Sequence, residues 1–561
     1  LPAKWWLIRC KALEPFRIQF LGRIMISRNY WLIIGILAGF AFTGSVEAQT
    51  PVLTAADVNV IVAQAAQAAA AYGSPNCFIA VSDREGYILG LYSTAGGTPA
   101  GTNLGPINAI DKAATAAYLS SNGEAFTSRT AGFIIQPHFP PGISNTGTGP
   151  LTGVGLSSLP FSDINHFRTP ASPATPIPNT SLSGNPGGVP LYKNGVLVGG
   201  VGVDSNTILS ALVYVPGSSL DEAIAVTAQS GYTPPSGILA TQVLLNGIRL
   251  PYTSFNGGSL GIMTLDPSHY LNPLTFTPGF PPASSPGAPY QTLSPNPFSD
   301  IPGGEVRNPI ISSPNATLVS GQPRLSAAEV TTILHQAAVR AAETRGAIRN
   351  PIGSAEVFIV VIDYYANLTS PNAPVVLGSF RTPDATLFSY DVAAQKARTA
   401  LFFSTNSTAA NPIALSSRAV GFLAQGTYPP GIDGTVAGPY GPPTYGGSNP
   451  NFGIVAGTPL FPAPFGIQSA VSILPLAGIP MTPINGYLPN GITVFPGGFP
   501  LYRNGVLIGA VGVSGDGVDQ DDIIAASATV GFEAPDAIRS DEYAFRGARL
   551  PYAKFPQNSS L

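Results

Sequence analysis

Apolar and polar positions along this chain lay out the same series of elements twice. Each series opens with a helix. Leu53-Thr54-Ala55-Ala56-Asp57 and Leu325-Ser326-Ala327-Ala328-Glu329 both read as capping boxes, with Asp57 a shorter version of the usual acid. Apolar residues follow at helical spacing: Val58, Ile61, Val62 and Ala65, then Val330, Ile333, Leu334 and Ala337. A continuous apolar run comes next, from Cys77 to Val81 and from Val357 to Ile362, and predicts a buried strand leading to Asp83 or Asp363. Asp83-Arg84-Glu85-Gly86 predicts a hairpin turn into Tyr87–Tyr92, where the second series has a longer loop. An Ala-rich helix then carries Lys112 or Lys396. Asn194-Gly195 and Asn504-Gly505 sit between alternating runs, a strong hairpin signal. A last helix begins near Asp221-Glu222 and Asp521-Asp522, acids suited to a helix N-terminus. The order α-β-β-α-(β)-β-β-α, with hairpins, predicts an antiparallel sheet with packed helices, the α+β class.

The duplication is explicit in the residues. Gly187 to Val203 recurs as Gly497 to Val513 with 13 of 17 positions identical. Lys112-Ala113, Ser128-Arg129, Pro140-Pro141-Gly142-Ile143 and Leu250-Pro251-Tyr252 recur in the same order as Lys396-Ala397, Ser417-Arg418, Pro429-Pro430-Gly431-Ile432 and Leu550-Pro551-Tyr552. Two homologous domains are therefore expected at 52–256 and 324–557, joined by a Pro/Ser/Gly-rich linker at 257–323.

Composition adds two points. Charged residues are 10% of the 561, while 63 Gly and 57 Pro accompany 44% hydrophobic residues. Disordered polyelectrolytes, coiled coils and collagen are excluded. The low charge is concentrated: 423–500 holds only Asp433, and 144–186 only Asp163 and Arg168. Each domain thus carries a long neutral Pro/Gly-rich insertion (144–186 and 433–496), which we expect to pack rather than to be solvated. The second point is the N-terminus. Trp31–Phe42 is an apolar run flanked by Arg23 and Arg28 and by Val46-Glu47-Ala48, the pattern of a secretory signal peptide cut after Ala48. Met25 is a candidate start, with residues 1–24 an over-extended frame. Secretion or a periplasmic location is expected, without a membrane span after cleavage. Cleavage leaves 20 Lys+Arg against 27 Asp+Glu, a formal charge of −7, so a nucleic-acid partner is not expected. It also leaves Cys77 alone, without an internal disulfide partner.

The opening Leu-Ser-Ala-Ala-Glu, Arg381-Thr382-Pro383-Asp384-Ala385, Lys396-Ala397-Arg398-Thr399-Ala400 and the run from Gly497 to Gly515 followed by Asp521-Asp522 together resemble the GlcG/HbpS family of haem-binding domains. The resemblance covers both repeats. It implies two tandem profilin-like domains, binding of haem or a related tetrapyrrole, and assembly into a homo-oligomer; the duplication itself allows an intrachain pseudo-dimer, since homologous domains often retain a former homodimer's contact. The first domain departs from the pattern, with Ser93 where the second has Arg381 and Asp204-Ser205 where the second has Ser514-Gly515.

No nucleophile motif, phosphate loop or metal cluster of standard spacing occurs, so no catalytic residue is assigned. The candidate haem-iron ligands are His335, one position beyond core Leu334, and His138, beside the repeated Pro-Pro-Gly-Ile. The alternatives are a solvent-side histidine and a loop histidine. Lys112 and Lys396 are candidate cations for a propionate, or else snorkelling surface lysines. Arg381 with Asp384 forms either part of a polar rim or a local salt bridge. Asp83 and Asp363 either bind a ligand or iron, or close turns. Cys77 reads as a small buried hydrophobe. These residues support non-covalent haem sequestration, storage or sensing. A structural protein built from duplicated assembly domains is the rival reading, and an enzyme acting on haem or a small metabolite a third.

Overall fold

In the computed structural model the described residues are 51–97, 105–136, 139–143, 149, 183–205, 219–272, 295–348, 353–364, 375–425, 427–432, 434–436, 438–440 and 493–554. The expected secretory segment, His138 and most of both neutral insertions lie outside them.

Repeat 1 runs α1 (Ala55–Ala71), β1 (Phe78–Asp83), β2 (Ile88–Ser93), α2 (Gly105–Leu119), α3 (Ser128–Ile134), β3 (Gly188–Lys193), β4 (Val196–Asp204) and α4 (Leu220–Ala228). A short strand β5 (Glu305–Asn308) precedes repeat 2. There α5 (Ala327–Glu343), β6 (Phe358–Asp363), β7 (Val376–Arg381), α6 (Ser389–Phe402), α7 (Ser417–Leu423), β8 (Gly498–Arg503), β9 (Val506–Ser514) and α8 (Val518–Ser527) follow the same plan. Both capping boxes form: Thr54 and Ser326 accept from the backbone N–H three residues on, and Asp57 and Glu329 reach back. The optional strand of the sequence reading is instead a short helix, α3 or α7. Thr127 and Ser416 cap these helices, and a polar side chain that can accept an orphan N–H favours a helix start there.

All sheet pairs are antiparallel, in the order β2-β1-β4-β3 in repeat 1 and β8-β9-β6-β7-β5 in repeat 2. Strand alternation divides each sheet into two apolar faces. In repeat 1, Ile79, Val81, Val201 and Val203 pack with α1 and α4, while Phe78 and Ala80 pack with Ala109, Ile110 and Ala113 of α2. The repeated glycines explain how closely the second helix approaches. A Cβ on Gly202 would lie inside contact distance of Ala109 O, and one on Gly512 inside that of Ala393 O.

The supposed linker is part of the fold where it is described. Leu271 N–H donates to Leu91 O at the β2 edge, and β5 extends the sheet of repeat 2 by pairing with β7. The fringe of the second insertion packs as expected: Tyr440 stands edge-on to Phe403, with ring centroids 4.9 Å apart. The two repeats share one hydrophobic cluster, running from Tyr118, Phe126 and Ile134 into Leu334, Phe358 and Phe388.

Candidate functional site

The lysines predicted as ligand cations are buried and already neutralised within the fold. Lys112 projects from α2 beneath the end of β4. Its Nζ donates to Asp204 Oδ1 at 2.8 Å, Asp221 Oδ2 at 2.7 Å and Val203 O at 2.9 Å. Burial works against its charge, but the two carboxylates outweigh it and the pKa rises. Burial pushes Asp204 up to about 6, against the pull of Lys112. In repeat 2, Ser514 stands in the place of Asp204. Lys396 Nζ keeps Asp521 Oδ2 at 2.7 Å and Val513 O at 2.8 Å. With less compensation, burial prevails: Lys396 is lowered, and Asp521 is raised to about 6. Neither the propionate cation nor the snorkelling surface lysine describes these residues. Lys112 locks α2 to the end of β4 and to the N-terminal turn of α4, and Lys396 locks α6 to β9 and to the N-terminal turn of α8.

Arg381 and Asp384 do not pair with each other; both grip the β1–β2 turn of repeat 1. Arg381 Nη1 reaches Glu85 Oε1 at 3.1 Å, and Arg307 Nη2 on β5 reaches Glu85 Oε2 at 2.8 Å. Asp384 accepts from Arg84 Nη2 at 2.5 Å and from the backbone N–H of Asn122 at 2.6 Å. Glu85 is raised by burial and lowered more strongly by Arg307 and Arg381, to about 2. Asp83 closes its turn, accepting from the N–H groups of Glu85 and Tyr87 at 2.9 Å each. Asp363 is held by Arg324 at 3.0 Å and by Ser313 at 2.5 Å.

His335 lies on the partly exposed side of α5. Its Nε2 is 2.8 Å from Asp300, and its ring is 4.9 Å from that of Phe298. No cluster of three His, Cys, Asp or Glu suited to a metal occurs among the described residues. Cys77 is buried, and burial pushes its thiol up to about 11, as a structural hydrophobe requires.

A cavity of about 660 Å³ spans the two repeats. Leu245 and Asn246 from a hairpin of repeat 1 close one side; Phe422 of α7, Ile348, Phe495 and Val518 supply apolar walls from repeat 2. Arg418, Asp519, Gln425 and Gln520 form its polar part. Arg418 Nε is bound to Asp522 and Nη2 to Asp519, each at 2.7 Å. Sequence reasoning assigned no role to Arg418, although the recurrence of Ser-Arg at matched positions was a signal. His335, Lys112, Lys396, Arg381 and Asp384 are not on this lining.

Residues 53–207 and 371–529, more than half of the chain, match the family described as haem degrading protein HbpS-like. Among solved structures, a crystal structure of a PduOC:heme complex is 22% identical and covers 38% of this chain and 97% of its own, with a TM-score of 0.22. The Klebsiella pneumoniae protein ORFY is 18% identical and covers 40% of this chain and 96% of its own, with a TM-score of 0.21. No curated protein matches the chain.

Proposed function

This chain belongs to the HbpS-like family of haem-degrading proteins, and we propose that it binds haem or a related tetrapyrrole non-covalently. The role would be that of an exported protein that sequesters, stores or senses its ligand. The observation that carries this reading is the cavity between the repeats. Its volume of about 660 Å³ falls in the range of small-molecule and cofactor sites, and a few polar groups stand on otherwise apolar walls. That chemistry fits the macrocycle. The described lining holds no His, Cys, Met or Tyr, so it offers haem iron none of the usual side-chain ligands. Binding therefore rests on burial of the macrocycle and on polar contact with its substituents. When bound, haem would supply redox chemistry at its iron.

Titration of the purified protein with haemin, followed at the Soret band, tests the proposal. Saturable binding at micromolar haemin is expected. An absence of any spectral shift would end the haem reading and leave duplicated assembly domains as the better account. Loss of pigment on adding a reductant would add turnover of haem to binding. The His335→Ala variant belongs in the same titration, because an unchanged spectrum removes His335 as an iron ligand.

A further inference from the structure

We propose that Lys112 and Asp204 of repeat 1 condense into an intramolecular isopeptide bond, with Asp221 as the proton carrier. The observation behind it is a buried amine held against a carboxyl group, together with the groups such a condensation needs. Lys112 Nζ is 2.8 Å from Asp204 Oδ1 and 2.7 Å from Asp221 Oδ2. The Lys112 and Asp204 side chains are only 2% and 4% exposed. Asp204 Oδ2 accepts from Asn108 Nδ2 at 3.5 Å. Asp221 is fixed from its other side, where Oδ1 accepts from the backbone N–H of Ser205 at 2.9 Å and from the Ser205 hydroxyl. Nucleophile, electrophile, base and a donor for the developing oxyanion converge where water is excluded.

The repeats differ at the positions that matter for this step. Val392, four residues before Lys396, stands where repeat 1 has Asn108, and Ser514 stands where it has Asp204. Repeat 2 thus keeps the lysine and the counterpart of the base, Asp521, but neither the electrophile nor its donor. One carboxylate completes the ion pair there; repeat 1 adds a second carboxyl group and an amide beside it.

The step balances without a co-reactant. Two carboxylates raise Lys112, so its proton passes within the pair and not to solvent. Moving it from Nζ to Asp204 gives an amine beside a carboxylic acid, and burial, which pushes Asp204 up to about 6, favours that neutral form. Nζ then attacks Cγ and the N–C bond forms. Asp221 takes a proton from Nζ and passes it to the departing hydroxyl, so the C–O bond breaks and water leaves. An ammonium and a carboxylate become an amide and water, Asp221 is regenerated, and the cost of holding two charges in the interior is removed.

Intact-mass measurement of the denatured full chain tests this. The chain should weigh one water less than its sequence, and a digest should yield a branched peptide joining the segments around Lys112 and Asp204. Asp204→Ala should show the full mass of its own sequence. Asp221→Asn, which keeps both reactants, should do the same. A wild-type chain of full mass overturns the proposal, and that measurement needs no variant to fold. A deficit that maps to a cyclised Asp516-Gly517, without the branched peptide, overturns it as well. A branched peptide that persists in Asp221→Asn overturns the role of Asp221.

Discussion

Replacing Glu85 with Gln tests whether the two repeats are held together by a buried charge. The substitution keeps the shape of the side chain and removes the carboxylate that faces both Arg307 and Arg381. Both guanidiniums are buried and would be left to share the partly exposed Glu305. Two routes give the size of the effect. The carboxyl falls from an ordinary 4.5 to about 2, equivalent to about 3 kcal/mol at neutral pH. Its side chain is only 13% exposed, so solvent screens it little. Breaking a buried ion pair by removing one partner costs about 3–5 kcal/mol. Because the folded pKa is depressed, this stability is fully present above pH 4.5 and is lost as pH falls toward 2. Urea unfolding followed by circular dichroism at pH 7 should show Glu85→Gln less stable by about 3 kcal/mol. The gap should close progressively between pH 4.5 and 2. A deficit below about 1 kcal/mol at pH 7, the ordinary value of an exposed pair, would refute the reasoning. So would a deficit that does not shrink in acid.

Three further outcomes are expected. Gly512→Ala forces its Cβ against Ala393 O, a backbone atom that cannot step aside, and should cost at least the 1–3 kcal/mol typical of overpacking; Gly237→Ala, facing open space, should change the melting temperature little. Lys112→Met leaves Asp204 and Asp221 buried together and should destabilise more than Lys396→Met, which strands Asp521; equal costs in urea unfolding would contradict the charge accounting of the two sites. The Cys77 thiol, buried and raised to about 11, should resist a thiol reagent at pH 8 in the folded protein and react on unfolding.

What was legible in the sequence is what local pattern controls. The capping boxes at Thr54 and Ser326, the Asn-Gly hairpins and the duplication itself all depend on residues a few positions apart. The partners of the singled-out charges lie much farther along the chain. Lys112 finds Asp221 at a separation of 109 residues, and Arg381 finds Glu85 at 296. A lone lysine on an apolar helix therefore reads equally as a ligand cation or as a snorkelling surface lysine. The corrective signal was the matched recurrence of Lys112 with Asp221 and of Lys396 with Asp521, since a buried lysine needs a carboxylate that travels with it. The strand β5 escaped notice because four residues among Pro and Gly carry too little alternation to mark a strand, and its pairing is supplied by β7.

The divergence between the repeats falls at the positions that decide whether a charge is sealed or presented. Asp204 gives Lys112 a second carboxylate, and Glu222 closes both edges of Arg129. Repeat 2 has Ser514 and Asp522 at those places, so Lys396 is left with less compensation and Arg418 with an edge toward the cavity. The opposite asymmetry holds at the strand edge. Arg381 of repeat 2 reaches across to Glu85, where its counterpart Ser93 has no charge to offer. Repeat 1 thus supplies the sealed ion pairs, the Glu85 turn that anchors repeat 2, and the Leu245–Asn246 wall of the cavity. Repeat 2 supplies the cation and most of the lining. Duplication allows this division: once two copies lie in one chain, a change that closes one site need not close the other. At the arginine, Asp522 is one methylene shorter than Glu222, and the Nη2 edge of Arg418 goes to Asp519 instead.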